Sequence, residues 1–165
     1  MSKLALDRLI EKFPSEVTAH HAAHGDETAV VKGARLVEIC TFLRDDPSTS
    51  FEMLTDLTAV DYLGQKEPRF EVVLHLYSLS KNHRLRLKIE LPEQTPEVPS
   101  VLSVWKSANW MEREVYDLYG IQFLGHPDLR RILLYPEFEG HPLRKDYDTE
   151  KRQPRIPARS GRTHL

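Results

Sequence analysis

The stretch NWMEREVYDLYGIQFLGHPDLRRIL, residues 109–133, concentrates side chains that could do acid–base or ionic chemistry. Its acidic residues, basic residues and histidine are Glu112, Arg113, Glu114, Asp117, His126, Asp128, Arg130 and Arg131. Neighbouring carboxylates can share general acid and base roles, and histidines can transfer protons or ligate metals. Each of these chemistries needs a particular spacing, so the sequence can be tested against each one.

The spacing of the carboxylates argues against an acid–base pair. Glu112 and Glu114 are two residues apart on a predicted helix, so their side chains point about 200° apart. Arg113 and Asp117 are four residues apart, which predicts an ion pair on one helix face. A free-standing hydrolase that uses Glu112 or Glu114 is therefore a weak alternative, and activity of the purified chain alone would support it.

The histidines do not form a recognisable metal site. His126 and His141 each precede a proline, in the phrases GHPDLRR and GHPLRKD, and basic residues follow both. Nearby cations would repel a metal ion, and no HExxH pattern is present. The three histidines within residues 20–24 lack a neighbouring thiol or carboxylate ligand set, so we predict a solvated strand face there.

The remaining catalytic patterns are also missing from the sequence. Cys40 is the single cysteine and lies in an apolar helical pattern, which predicts a buried thiol rather than a nucleophile. The chain has no GxSxG, GxGxxG or GxxxxGK[ST] motif. We therefore predict no catalytic, cofactor-binding or metal-binding residues in this chain.

The first half of the chain predicts a helix, short strands, a second helix and a hairpin. Residues 4–13 and 34–47 have helical apolar spacing, and each run stops at or beside a proline. Residues 17–33 predict two short strands around a Gly-Asp turn. FEVVLHLYSL (70–79) and RLRLKIEL (84–91) alternate apolar and polar residues, which predicts an antiparallel hairpin with one dry and one wet face.

The second half is less regular. Residues 51–63 fit both a helical turn and a strand. PSVLSVWKSA (99–108) predicts a helix, and Asn109 followed by Glu112 predicts a capping box that restarts it. Gly120 is a natural helix terminator. Prolines and the loss of periodicity then predict a loop-rich segment over 121–165.

Together these patterns predict an α+β fold: a small, largely antiparallel sheet with helices packed on it, and a long extended C-terminal tail. We divide the chain into a core domain over 1–120 and an extended, Pro/Arg-rich, partner-docking segment over 121–165. Residues 144–165 hold seven Lys and Arg against three Asp and Glu, whereas the remaining residues hold sixteen against twenty-two. After Tyr147 the only large apolar residues of the tail are Ile156 and Leu165, so the tail is either disordered or laid along another protein.

The order of these residues resembles a known signature. EREVYDLYGIQFLGHPDLRRILL, followed by GHPLRKDY, is similar to the signature of the 30-kDa subunit of proton-translocating NADH:quinone oxidoreductase, respiratory complex I. The upstream phrases LTDLTAVDYL, FEVVLHLYSL and VPSVLSVWKSANW also resemble this family. The resemblance covers nearly the whole chain.

The resemblance implies a function for an assembly rather than for one chain. The family's complex passes electrons from NADH through FMN and iron–sulfur clusters to quinone, coupled to proton translocation. It implies a cofactor-free subunit, with FMN and the clusters in partner subunits. The expected partners are the quinone-site subunit of the 49-kDa type and the neighbouring iron–sulfur subunits. The expected place is the cytoplasmic side of a bacterial inner membrane, with membrane contact only through the complex.

The resemblance also implies roles for the signature residues as an interface. The group that would fix and present the signature helix is Glu112, Arg113, Glu114 and Asp117. The group that would shape the next loop and contact a neighbour is His126, Asp128, Arg130 and Arg131. The group in the second signature phrase is Arg144, Lys145 and Asp146, of which the two cations, with the later arginines, would hold the tail on a partner.

Two further alternatives remain open on the sequence. Membrane-bound hydrogenases and other energy-converting dehydrogenase complexes use a homologous subunit, and the signature separates these poorly. A nucleic-acid-binding module using the basic tail is disfavoured, because the charge excess is modest and only Tyr147 could stack on a base. The chain shows no apolar run long enough to span a membrane and no signal-peptide pattern.

Overall fold

The computed structural model of the chain describes residues 2–156. The helices within this range are α1 (Ser2–Lys12), α2 (Leu36–Asp45) and α3 (Ala108–Tyr119). The strands are β1 (Val17–His21), β2 (Thr28–Val31), β3 (Met53–Asp61), β4 (Phe70–Ser78), β5 (His83–Leu91), β6 (Glu97–Pro99) and β7 (Gln122–Leu124). Short 3-10 turns lie at Ala23–Gly25 and Gly33–Arg35.

Five strands form the main sheet in the order β1-β2-β5-β4-β3. All neighbours are antiparallel except β2 and β5, which run parallel. The β4–β5 hairpin pairs without interruption from Phe70 opposite Leu91 to Ser78 opposite His83. The predicted α+β class with a largely antiparallel sheet is therefore confirmed.

One face of the hairpin supplies the centre of the core. The buried strand residues on this face are Phe70, Val72, Leu74, Leu76, Leu85, Leu87, Ile89 and Leu91. They join buried side chains of all three helices in one apolar cluster, and each such burial contributes about 1.5–3 kcal/mol. The opposite face carries Arg84, Arg86, Lys88 and Glu90 on β5, but Glu71 and Val73 of β4 are buried on it, so the predicted dry face is confirmed and the wet face only in part.

Strand β3 explains the ambiguity of residues 51–63. A bulge between Leu54 and Asp56 shifts the register against β4. Because a bulge adds one residue, the buried Leu54 and Leu57 are three apart, which imitates helical spacing. The segment is a strand, and a single-sequence period could not separate the two structures.

The helix predicted over residues 99–108 is wrong. Pro99 ends β6, and the following residues form tight turns in which Val104 N donates to Val101 O and Ala108 N donates to Trp105 O. Val101, Val104, Trp105 and Ala108 are nevertheless buried, as their spacing indicated. Successive turns can bury the same residues as a helix, so the pattern indicated burial and not a continuous helix; the segment has a single helical bond, from Trp105 N to Val101 O.

The predicted capping box is also wrong. Helix α3 begins at Ala108, which places Asn109 inside its first turn. The Glu112 carboxylate does not turn back to Asn109; it accepts hydrogen bonds from Ser100 Oγ at 2.6 Å and from Val101 N at 2.7 Å. Glu112 therefore ties α3 to the segment after β6, and α3 has no side-chain cap at its start.

The parallel pair of β6 and β7 extends the core past the predicted boundary at residue 120. Val98 pairs with Phe123, and both side chains are buried together with Ile121. Residues 125–156 then contain neither helix nor strand, in agreement with the predicted irregular segment. The predicted partner-docking role of residues 121–165 is not tested by this fold, and the part from 157 onward, with Arg159 and Arg162, lies outside the described residues.

Gly120 closes α3, as predicted, in a left-handed conformation with φ of 74°. A Cβ on Gly120 would lie 2.6 Å from His141 Nε2 and 2.9 Å from Arg144 Nη2. Glycine is needed here both for its backbone conformation and for the close approach of residues 141–144 to the helix end.

We expect Gly120→Ala to lower the free energy of unfolding by about 3 kcal/mol, because backbone strain and the contact with His141 add. Gly64→Ala is the matched control: its φ of 71° is similar, but a Cβ there would meet nothing within 4 Å. That control should lose only about 1 kcal/mol. If urea unfolding gave equal losses of unfolding free energy for both variants, the close approach to residues 141–144 would contribute nothing to the loss.

Candidate docking interface

Asp117 organises the loop that follows α3. Its side chain is fully buried, and Oδ2 accepts backbone N–H groups from Ile132, Leu133 and Leu134, each at 2.9 Å. Oδ1 accepts Arg131 Nη1 at 2.7 Å. Burial opposes the charge, but the three N–H groups and Arg131 outweigh it and hold the pKa of Asp117 below its usual range. The carboxylate therefore fixes three consecutive residues of the loop.

Arg113 holds the same loop from its other side. Its Nε donates to Arg130 O and its Nη2 to Arg131 O, both at 3.1 Å. The guanidinium also lies 5.4 Å from the centre of the Trp110 ring. The predicted Arg113–Asp117 ion pair is wrong, because Asp117 is occupied by Arg131 and Arg113 reaches the loop carbonyls instead.

His126 and Asp128 order the loop where it leaves β7. The Asp128 N–H donates to His126 Nδ1 at 3.1 Å, so the other ring nitrogen carries the proton and lies 3.4 Å from Asn109 O. Asp128 also pairs with Arg130 at 2.9 Å, but both side chains are exposed and this pair adds little stability. These contacts shape the loop, while a contact of these residues with a neighbouring subunit stays a prediction.

Arg69 anchors the second signature phrase to the sheet. This buried guanidinium bonds both oxygens of Asp61 at 2.9 and 2.7 Å, both oxygens of Asp146 at 2.8 and 3.1 Å, and Glu93 at 2.6 Å. The Lys145 N–H adds a bond of 2.8 Å to Asp61 Oδ2. The segment around residue 146 is thereby fixed against the ends of β3, β4 and β5.

The same segment also covers the C-terminal end of α3. Arg144 Nε donates to Tyr119 O at 2.6 Å, and His141 Nδ1 lies 2.9 Å from Asp117 O. Arg144 also lies over the Phe70 ring at 5.1 Å. Cations and donors at this end satisfy the last helix carbonyls and complement the helix dipole. Arg144 and Asp146 thus contact their own chain, and contact with a partner is not tested for them.

Asp61 and Arg69 were not predicted as site residues from the sequence. The available signal was the hairpin-like connection of β3 to β4, in which Asp61 pairs opposite Phe70 and so lies beside Arg69. Because residues 51–63 were ambiguous, that register could not be assigned. The contact with Asp146, far along the chain, had no local signal.

Glu112 and Glu114 do not form a catalytic pair. Glu112 is fully buried, and burial raises its pKa by more than its hydrogen bonds from Ser100 and Val101 lower it. Glu114 lies exposed on another side of α3. Cys40 is buried as predicted, and that burial, with the nearby Glu112 charge, raises the pKa of its thiol.

Two absences hold for the described residues 2–156. No group of three His, Cys, Asp or Glu side chains there is placed to hold a metal ion. No helix in the same range has the length and apolar character to cross a membrane.

Comparison with known proteins decides the family. Residues 29–153 match the family model for the 30-kDa subunit of respiratory-chain NADH dehydrogenase. The chain belongs to this family. A relative from Geobacter sulfurreducens, named as a subunit of NADH-quinone oxidoreductase, is 50% identical over 143 residues, which is 87% of each chain. The counterpart from Caulobacter vibrioides is 54% identical over 131 residues, 79% of this chain and 66% of that one.

Two solved structures share the fold of this chain. The trypsin-resistant fragment (1–134) of Nqo5 is 33% identical, covers 76% of this chain and 99% of its own, and superposes with a TM-score of 0.63. A chain of the membrane-bound sulfane sulfur reductase, an archaeal respiratory membrane complex, superposes with a TM-score of 0.73 over 90% of this chain and 86% of its own. At 23% identity, this second likeness shows the fold alone.

We expect Asp117→Asn to lower the free energy of unfolding by about 2–3 kcal/mol, because the amide faces Arg131 with a donor and the charge-assisted bonds are lost. Urea unfolding measures the loss. Glu114→Gln, an exposed change on the same helix, should stay within about 0.5 kcal/mol. If the two variants unfolded alike, Asp117 would not be what fixes the loop.

The Arg69 cluster predicts a pH dependence. Burial raises the pKa of Asp61, but hydrogen bonds from Arg69, Lys145 N and Leu63 N outweigh it and lower the pKa from 3.8 to about 2. A carboxylate with a lowered pKa stabilises the fold fully above its unfolded value, so this contribution is lost as the pH falls from about 4 through about 2.

The Lys145 amide signal in an NMR titration should therefore shift with a midpoint near pH 2. Asp146→Asn keeps Asp61 and should leave that midpoint low. Arg69→Lys keeps the positive charge but cannot bond Asp61, Asp146 and Glu93 at the same time, so the midpoint should rise. A wild-type midpoint at pH 4 or above would contradict this account.

Proposed function

We propose that this member of the 30-kDa family is a docking subunit in the peripheral arm of a proton-translocating NADH:quinone oxidoreductase. Its task there is structural, supporting electron transfer from NADH through FMN and iron–sulfur clusters of partner subunits to quinone. The observation that supports this proposal is how two buried carboxylates are used, Asp117 in the signature helix and Asp61 at the end of β3. Asp117 and Asp61 bind backbone N–H groups and arginines that fix residues 130–146, rather than facing an open cavity.

The ordered segment over residues 130–146 favours association with a partner protein. Binding costs less when the contacting segment is already ordered in the free protein. Residues 125–156 have no helix or strand, yet they are held at Asp117, at Arg113 and at Arg69. In our proposal this segment docks on the quinone-site subunit of the 49-kDa type and on neighbouring iron–sulfur subunits, and the chain meets the membrane only through the complex, on the cytoplasmic side of a bacterial inner membrane.

The relatives support NADH-quinone oxidoreductase as the complex to which the proposal assigns this subunit. Several curated relatives near 50% identity are named as subunits of NADH-quinone oxidoreductase.

The Nqo5 fragment was defined by its resistance to trypsin, and it covers 76% of this chain. In this chain the C-terminal segment exposes Lys151, Arg152 and Arg155, which are trypsin sites. The segment beyond the core should therefore be the part that a partner protects.

Affinity purification of the tagged chain from its own membranes, in mild detergent, tests the proposal. We expect flavin-bearing and iron–sulfur-bearing proteins to co-purify, together with NADH:quinone reductase activity. Hydrogenase-type partners would keep the family but replace the reaction. Recovery of the chain alone would contradict the docking function.

Limited trypsin digestion adds a second readout. The isolated chain should lose peptides after Lys151, Arg152 and Arg155 early, whereas the co-purified assembly should retain them at least tenfold longer. Cleavage after Lys81, in the β4–β5 turn of the core, serves as the internal control and should proceed at similar rates in both samples. Equal tail cleavage in both samples would mean that no partner covers the C-terminal segment.

A further inference from the structure

Three large apolar side chains protrude around α3 and its following loop. Trp110 is 64% exposed and Leu133 is 63% exposed, and Leu124 at the end of β7 is also exposed. Arg113 links the first two, because it lies under the Trp110 ring and holds the carbonyls of residues 130 and 131. We call this region, with the rim cations Lys106, Arg113 and Arg130, the α3–loop surface.

A shallow depression of about 420 Å³ lies beside Leu124. Its walls include Leu102, Leu124 and Pro127, and Lys106 stands at its edge. His126 connects the depression to the first turn of α3 through its contact with Asn109 O, next to Trp110. Leu124 lines the depression, and the contact of His126 brings residues 125–127 beside the first turn of α3, where Trp110 lies.

The backbone of its loop fixes the exposed position of Leu133. The Leu133 N–H is bound to Asp117 Oδ2, between the bound N–H groups of Ile132 and Leu134. A loop fixed in this way cannot rearrange to bury Leu133 without breaking bonds to a buried carboxylate. The exposure of Leu133 is thus built into the fold, and large exposed apolar groups mark interaction sites.

The open face of the main sheet differs in character. Lys66 bridges Glu71 and Glu90, Lys88 binds Glu71, and Arg86 binds Asp26. Its depression of about 380 Å³ is lined by both acidic and basic side chains. Lys66, Lys88 and Arg86 are thus already paired within the chain, and what distinguishes the α3–loop surface is its large exposed apolar side chains, Trp110 and Leu133.

We propose that Trp110, Leu124 and Leu133 form the centre of a docking surface for another protein subunit of the assembly, which presents an apolar recess bordered by carboxylates. The inference rests on the proposed function and deepens it by naming the surface. The rim supports an acidic partner, because its cations Lys106, Arg113 and Arg130 outnumber the carboxylates Asp128 and Glu114. A second copy of this face would oppose cations to cations.

Thiol footprinting tests the surface directly, because the chain's one cysteine, Cys40, is buried. Trp110→Cys and Leu133→Cys each add one exposed thiol, and Leu79→Cys is the matched control, since Leu79 is 62% exposed in the β4–β5 turn. A soluble maleimide is applied to the isolated chain and to the affinity-purified assembly, and modification of this chain is read by mass spectrometry. We expect at least tenfold slower labelling at 110 and 133 in the assembly, and no change at 79.

Equal labelling at 110 and 133 in both samples would overturn the surface while leaving co-purification, and so the proposed function, intact. Slow labelling already in the isolated chain would overturn it too, because the chain itself would then cover the surface. A cysteine-reactive cross-linker at position 133 should join a different, acidic subunit. A cross-link to a second copy of this chain would overturn the assigned occupant. Failure of the wild-type chain to bring down partners would instead contradict the proposed function itself.

The rim charge has its own test. Lys106→Glu should reduce recovery of partner subunits at least fivefold at low ionic strength, whereas Lys81→Glu, an equal charge change in the β4–β5 turn, should not. Equal recovery with both variants would overturn the proposal that carboxylates border the recess of the partner.

Discussion

The buried guanidinium of Arg69 is the interaction on which the architecture of the chain's second half depends. A charge of this kind is costly to bury unless every donor is paired, and removing a single partner is strongly destabilising. Here Asp61 comes from β3, Glu93 from beyond β5 and Asp146 from the C-terminal segment. One side chain therefore joins the end of the sheet to residues about eighty positions further along the chain.

Asp117 repeats this principle on the other side of the same segment. Its carboxylate is buried at the end of α3 and binds Arg131 and three loop N–H groups. Between the Asp61–Arg69 pair and Asp117, a stretch with no regular structure of its own obtains a defined path. Gly120 allows His141 and Arg144 to approach the helix end between these two anchors. The irregular segment is thus ordered by buried ionic groups instead of by a core of its own.

This use of charged residues connects the fold to the proposed interface. The signature resembles a catalytic site because it concentrates carboxylates, arginines and histidines, but its most buried members bind the backbone. What remains outside is Trp110, Leu124, Leu133 and a rim of cations. A subunit of this family can therefore present a rigid surface while the redox chemistry of the assembly, in our proposal, lies in its partners.

The sequence alone determined the elements whose signals are local: α1, α2, the β4–β5 hairpin, the end of α3 at Gly120, the buried thiol of Cys40 and the family. It did not determine β3, because a bulge between Leu54 and Asp56 imitates a helical period, nor the turns at 101–108, because turns can bury the same residues as a helix. The partners of Glu112, Arg113 and Asp146 were decided only in the tertiary structure. Charged side chains reach several ångströms in many directions, so their pairing is set by which distant segments the core brings beside them.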